Sequence, residues 1–249
     1  QAVVAPVDSG EIHLVDSTGR VCPAQVLGMT EAGTRVLFEP PGVPGFGFES
    51  FTVVPGPAAP AASGRVRAGE RTLESDFFLV ELDESGGLSR VFDKRSGRDV
   101  LPQGGTGNDW QFFQDGPAVE AAWNVYETFE RRRYEATAPA RIEAVENGPV
   151  RATIRVERAF RASRYRLDIS LYAGTPRIDF AAAVDWEERQ TLLKVAFPVT
   201  VRSPQATYEI QFGALQRPTH RNTSWDEQKF EVACQRWADL SEAGYGVSL

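Results

Sequence analysis

The chain is predicted to be all-β. Three observations predict it: short β-branched or aromatic segments with period-two alternation, their interruption by Gly, Pro, Asn and Asp, and the near absence of helical periodicity. In the first sixty residues the alternation predicts strands at 11–15, 21–27, 34–38 and 48–54. The turns between them carry Asp16, Gly19, Gly33 and the stretch 40–47. Four strands with tight connections make a small antiparallel sandwich or meander. The segment 55–69 (PGPAAPAASGRVRAG) is poor in large apolar residues and rich in Pro, Ala and Gly, the composition of a linker. Residues 1–60 are therefore assigned to a small β-sandwich domain, 61–69 to the linker and 70–249 to a large β domain.

Beyond the linker the predicted strands lengthen. Residues 74–82 (ESDFFLVEL) run into a turn at 83–87, where Gly86-Gly87 can take positive φ at low steric cost, and 88–92 returns as a hairpin. A second turn, DKRSG at 93–97, offers an Asp side chain to the backbone amides that follow it. Further strands are predicted at 141–146, 150–160, 165–172, 177–186, 191–201, 205–212 and 229–234, with Asn147-Gly148-Pro149 turning the first into the second. So much long strand implies two large packed sheets rather than an immunoglobulin-sized domain. No repeat of fixed period is present.

Composition excludes several function classes. A formal net charge of −7 and a pI near 5.1 argue against a nucleic-acid partner. The one basic run, Arg131-Arg132-Arg133, is followed at once by Glu135 and reads as a solvated strand edge. No apolar run approaches the roughly 18–20 residues that cross a bilayer. Cys22 and Cys234 do not form a disulfide framework in a chain this long and read as reduced thiols, which suits an intracellular parent. The chain begins at Gln1, so the absence of a signal peptide says little about the parent.

No catalytic constellation is visible. The two histidines, His13 and His220, fall in different predicted domains, and no HExxH, GxSxG, P-loop, GxGxxG or CxxC pattern occurs. Glycosidases usually need only two carboxylates, but 34 acidic residues do not single out a pair. Two loops are nevertheless rich in aromatic and polar groups. The first, 107–126 (GNDWQFFQDGPAVEAAWNVY), holds Trp110, Phe112, Phe113, Asp115 and Trp123; the second, 216–225 (QRPTHRNTSW), precedes Glu231, Arg236, Trp237 and Asp239. Aromatic faces beside carboxylate and amide groups suit sugar rings and hydroxyls. The bland alternative is a buried aromatic cluster in which Asp115 and Arg217 serve as internal hydrogen-bond partners and His220 is structural. Asp115 before Gly116-Pro117 is also a good turn former.

These segments resemble the C-terminal half of glycoside hydrolase family 38, the α-mannosidases. Residues 208–249 (YEIQFGALQRPTHRNTSWDEQKFEVACQRWADLSEAGYGVSL) resemble a block found in the cytosolic and bacterial type. ESDFFLVELDESGGLSRVFDKRSGRDVL resembles the family's strand–DxxG–strand–DKxxGR–V pattern, and 107–123 its G-N-x-aromatic…D-x-P…A-W loop. The likeness runs from about Leu73 to Leu249. It is weaker in residues 1–60, chiefly at VPGFGFESFTVVP. The resemblance implies a galactose-mutarotase-like β-supersandwich in a retaining hydrolase that acts on α-linked mannose through a covalent glycosyl-enzyme. It places the nucleophile, the acid/base and the His and Asp ligands of zinc or another divalent metal in N-terminal catalytic and helical domains. This chain is then expected to carry no cofactor and no catalytic residue. Its partners would be those domains and a mannose-containing oligosaccharide, in the cytoplasm, with no membrane. The family continues past Leu249 through further strands, so the supersandwich is expected to be truncated there or completed by another segment. Trp110 matches an aromatic that reaches the active-site rim in some members, where Tyr can hydrogen-bond the substrate; Trp can stack or donate through its indole N–H. Trp110, Asp115, Arg217 and His220 are the rim candidates. Two alternatives are a stand-alone carbohydrate-binding module and a mutarotase-like enzyme, which would need a His and a carboxylate converging on one sheet face.

Overall fold

In a computed structural model, which describes residues 2–7, 11–40, 42–56, 66–116, 119–121 and 123–249, strand dominates and the two helical turns among these residues are four residues each. The first five strands, β1 (Ala2–Val4), β2 (Ile12–Asp16), β3 (Val21–Thr30), β4 (Gly33–Phe38) and β5 (Phe51–Pro55), pair in the order β1-β4-β3-β2-β5. The long β3 is shared. Its start pairs with β2 (Leu14 opposite Cys22), its later part pairs with β4, and the register shifts between Val26 and Gly28. A bulge of this kind bends a strand and turns the two halves of a sheet against each other. Ile12, Leu14, Cys22, Ala24 and Val36 form the enclosed core, with Phe38, Phe51 and Val53 packed on it. The predicted turn at Asp16 is held as expected: Oδ1 accepts from the amides of Thr18 and Arg20 at 2.9 and 2.8 Å. Residues 61–65 of the predicted linker lie outside the described residues.

The predicted strand 74–82 is two strands, β7 (Thr72–Glu74) and β8 (Phe78–Leu82), after the short β6 (Arg67–Ala68). Ser75 causes the break: its Oγ accepts from the amides of Phe77 and Phe78, both at 3.2 Å, giving the backbone a local alternative to the ladder. After β8 the Asp83 carboxylate accepts from Ser85 N at 2.8 Å, and Gly86 takes φ +84°. β9 (Leu88–Asp93) follows, then β10 (Arg98–Asp99) and β11 (Asp109–Gln114). β11 lies inside a segment predicted to be a loop. Along its whole length it pairs with residues more than 75 positions away, which local pattern does not reveal.

One compact unit comprises Gln1–Gly86, Val91–Arg98 and Ala138–Trp186. After the pair-forming β12 (Arg133–Tyr134), its second half is the antiparallel sheet β13 (Arg141–Asn147), β14 (Arg151–Phe160), β15 (Ser163–Tyr172) and β16 (Ile178–Asp185). One face of β14 and β15 is apolar: Ala152, Ile154, Val156, Leu167, Ile169 and Leu171 are buried, together with Leu73 and Val80. Each fully buried Leu, Ile or Val contributes about 1.5–3 kcal/mol by removal from water. Gln25 of β3 ties this sheet to the first one. Its Nε2 donates to Glu146 at 2.6 Å, and its Oε1 accepts from Val150 N and Arg151 N at 3.2 and 2.9 Å.

The second unit comprises Gly87–Arg90, Asp99–Thr137 and Glu187–Leu249. It holds the sheet β12-β11-β17, with β17 at Thr191–Ala196, and the sheet β19-β18-β20-β21. The latter is built from β18 (Gln205–Ile210), β19 (Gly213–Pro218), β20 (Ala238–Glu242) and β21 (Tyr245–Ser248). Three expectations are corrected here. The strand predicted at 191–201 ends at Ala196, just ahead of Pro198, which has no amide to donate. Residues 229–234 are not a strand, and 213–218, unassigned at 213–215 and placed in a loop from 216, is one.

Candidate functional site

The 3-10 turn Phe129–Arg132, β17 and the segment after residue 220 come together in the second unit beside β11. In its ladder with β17, Gln111 lies opposite Lys194 and Phe113 opposite Leu192, while β12 places Arg133 opposite Phe113. Directly opposed residues of an antiparallel pair point to the same side. One face of this small sheet therefore carries Asp109, Gln111, Phe113, Arg133 and Lys194, and the other carries Trp110 and Phe112.

The first face is a polar shelf with an aromatic wall. Asp109 accepts from Gln111 Nε2 at 2.7 Å and from Arg133 Nη2 at 3.0 and 3.1 Å. Phe113 meets Phe129 edge-on at 5.1 Å, and Phe129 meets Phe230 at 6.2 Å. The ammonium of Lys194 lies 4.5 Å from the centre of the Phe129 ring and pairs with Glu231. Arg221 pairs with Glu130 at 3.1 Å. The segment after residue 220 is thus fastened to the 3-10 turn Phe129–Arg132 and to β17 by two ion pairs and a ring contact. Every carboxylate in this set is engaged by a cation, whereas a glycosidase needs one free to attack and another held protonated.

The four residues predicted from sequence are distributed around this shelf. Trp110 is buried on the opposite face, and its indole N–H donates to Asn108 Oδ1 at 3.3 Å. Asp115 sits beyond the other end of β11, about 17 Å along the strand at roughly 3.3 Å per residue. Its amide donates to Gln190 O at 2.9 Å, and its Oδ1 is enclosed without a hydrogen-bond partner among the described residues. Arg217 ends β19 with its guanidinium 4.9 Å from the centre of the Tyr208 ring, and its Nη1 is likewise enclosed and unpartnered. His220 is exposed, with Nδ1 3.7 Å from Asp226 Oδ2. Asp226 belongs to the turn Ser224–Glu227, capped by Thr223, whose hydroxyl accepts from Asp226 N at 3.2 Å.

The shelf residues Asp109, Gln111, Arg133 and Lys194 were missed. The only local signal was the i, i+2 spacing of Asp109, Gln111 and Phe113; the partners come from strands far away in sequence. In the basic run, Arg132 stacks over Tyr126 at 4.0 Å and Arg133 pairs with Asp109, so these cations serve the fold. On the neighbouring sheet Arg236 grips Glu209, with Nε 3.0 Å from both carboxylate oxygens. That hydrogen bonding holds the Glu209 carboxyl below the usual glutamate range against the opposing effect of burial. Among the described residues no group of three or more His, Cys, Asp or Glu side chains is placed to hold a metal ion. Cys22 and Cys234 are both free, and among the described residues no helix is long and apolar enough to cross a membrane.

Comparison with known proteins gives a consistent set of relatives. A family model described as glycosyl hydrolases family 38 C-terminal domain matches residues 73–249. Alpha-mannosidase 2C1 of Homo sapiens is 41% identical over 183 residues, covering 73% of this chain and 18% of its own length. Alpha-mannosidase G of Dictyostelium discoideum is 32% identical over 201 residues, with 78% and 18% covered. Alpha-mannosidase of Saccharomyces cerevisiae is 34% identical over 178 residues, with 67% and 16% covered. The chain thus spans about a fifth of the length of these relatives. The crystal structure of an alpha-mannosidase from Enterococcus faecalis V583 superposes with a TM-score of 0.68 at 14% identity, covering 97% of this chain and 32% of the other, a likeness of fold.

Proposed function

The chain belongs to the glycosyl hydrolases family 38 C-terminal domain family, and from that premise we propose that it is the non-catalytic β region of a retaining α-mannosidase, supporting and rimming an active site built by the rest of the polypeptide. The observation that carries this reading is the exposed edge strand β19 of the sheet β19-β18-β20-β21. In β19 every residue except Arg217 is exposed, Leu215 among them, Phe212 just before it is exposed, and the same unit also exposes the large apolar groups Trp225 and Trp237. A sheet must cover an apolar face to be stable, and exposed apolar groups of this size mark an interaction surface. The surface fits the N-terminal catalytic and helical domains that the curated relatives' greater length leaves room for.

The tied carboxylates of the β11 shelf agree with a supporting role. Of the rim candidates, exposed His220 is the one whose side chain reaches outward. Buried Trp110, with Asp115 and Arg217, holds the loops that present it. In this reading the ligands of the divalent metal expected of the intact enzyme, the nucleophile and the acid/base are assigned to the remainder of the polypeptide. The expected substrate is a mannose-containing oligosaccharide, and the cytoplasm is the expected compartment.

A second reading, a stand-alone carbohydrate-binding module, is favoured by the exposed indoles of Trp123 and Trp225. Hydrolysis of a chromogenic α-mannoside, with zinc or cobalt supplied, tests the first reading. The chain alone should give no turnover where the full-length parent is active, and turnover by the chain alone would overturn it. Saturable binding of mannosides by the isolated chain would favour the module instead.

A further inference from the structure

The sheet β13-β14-β15-β16 ends in two edge strands of different character. An edge strand offers a row of N–H and C=O groups to any further strand, and proteins blunt such edges with charge, proline or a bulge. β13 is blunted in this way: it carries Arg141, Glu143 and Glu146, and its register shifts between Ala144 and Glu146. β16 is not. Its register against β15 is unbroken from Ile178 to Asp185, and between Asp179 and Asp185 it reads Phe-Ala-Ala-Ala-Val, without charge or proline.

The apolar face of the sheet also runs out onto this edge. Ile178, Phe180, Ala182 and Val184 stand opposite Leu171, Ile169, Leu167 and Tyr165 of β15 and so point to the same side. The four β15 residues are buried, whereas Ile178 and Phe180 are half-buried and Ala182 and Val184 are exposed, Val184 at 43%. A strand added to β16 would extend that face and cover it. The sequence of β16 is complementary to its own reverse. With a two-fold axis at Ala181, an antiparallel copy sets Ile178 opposite Val184 of the second copy and Phe180 opposite Ala182 of the second copy, apolar against apolar throughout. On the other face Asp179 meets Ala183 of the second copy. Arg177, one residue before the strand, meets Asp185 of the second copy, and the axis repeats that opposite-charge pair at the other end. Moving the axis to Ala182 would instead oppose Asp179 and Asp185, like charges that disfavour pairing. Neither charge has to be unpartnered at home. Arg177 keeps Asp179 with its side chain still 63% exposed, and exposed Asp185 lies opposite Arg164 in its own sheet. The self-complementary patch is what a closed two-fold interface requires.

We propose that β16 is the edge through which two copies of this chain pair into a two-fold dimer with one continuous sheet. Sedimentation equilibrium of the chain tests it from about 1 to 500 μM, a range that brackets the weak affinity of a small interface. The expected result is a monomer–dimer equilibrium within that range. Arg177→Asp places a carboxylate opposite Asp185 of the second copy, and Asp185→Arg places a guanidinium opposite Arg177 of the second copy. Each variant alone should raise the midpoint concentration about tenfold or more. An equimolar mixture of the two restores opposite charges at both ends and should dimerise near the original midpoint, which damage to the fold could not produce. In the unmodified chain, amide exchange within residues 180–184 should slow as concentration passes the midpoint. A monomer throughout the range, a dimer indifferent to both reversals, or a mixture as weak as its components when both keep the circular dichroism of the unmodified chain, would overturn the proposal.

Discussion

Gln25 is the single side chain on which the joining of the first sheet to β13 and β14 most depends, and its replacement has a calculable cost. The side chain is buried and makes three hydrogen bonds: one donated to Glu146 and two accepted from the Val150 and Arg151 amides. Gln25→Ala leaves both amides without an acceptor in an enclosed place. An unsatisfied buried polar group costs about 1–3 kcal/mol, so the pair costs about 2–5 kcal/mol after water recovers part of one. Gln25→Glu separates this effect from lost packing. It keeps the acceptor for both amides but sets a second carboxylate 2.6 Å from Glu146. Two carboxylates so close cannot both ionise, which raises the folded-state pKa of the introduced acid above its unfolded value near 4.3. A raised pKa stabilises below the unfolded value and loses that stabilisation as pH rises through the folded one. Urea unfolding at pH 7 should therefore place Gln25→Glu at or below Gln25→Ala, and unfolding at pH 4 should place it above. A loss under 0.5 kcal/mol for Gln25→Ala, or the same order of the two variants at both pH values, would refute the reasoning.

Two further outcomes follow from the same geometry. The Arg155 hydrogen bonds, stronger than the opposing burial, lower the Asp168 pKa, so this carboxylate stabilises the fold above its unfolded pKa of about 3.9 and ceases to as pH falls through the folded value; acid titration monitored by circular dichroism should show Asp168→Asn less stable at pH 7 but with a smaller further loss below pH 4. Gly86→Ala should cost about 1–3 kcal/mol in urea unfolding, because Gly86 stands at φ +84° and an added Cβ would fall 2.3 Å from Val156 Cγ1, a methyl branch that is buried.

What the sequence made legible was the part of the fold whose causes are local. Period-two alternation located β14 and β15 to within two residues because one face of each is buried and the pattern is strong. The Asp-containing turns at 16, 83 and 93 were legible for a similar reason: each Asp binds amides only two to four residues ahead. The failures are equally physical. Ser75, within the polar Glu74-Ser75-Asp76, splits the strand predicted at 74–82 by a local hydrogen bond that period-two alternation does not register. β11 and β19 were read as loops because their polar and aromatic residues show no clean alternation, each strand having both faces used or both exposed.

The candidate site was legible in composition but not in arrangement, and the reason lies in how sheets make sites. The contacts formed beside the two aromatic-rich loops run through Phe129, Phe230, Lys194 and Glu231, residues that neither loop contains. Gln111 faces Lys194 because two strands 80 residues apart settle into one register, and a shift by a single residue would turn every one of these side chains to the other face. Register in turn is decided by burial on the far side, where Trp110 and Phe112 need cover. The chemistry-bearing face is thus a consequence of the apolar one. Trp110, buried on the far face of β11, bears on which of its neighbours are presented, so changes there should also be read through Asp109, Gln111 and Lys194.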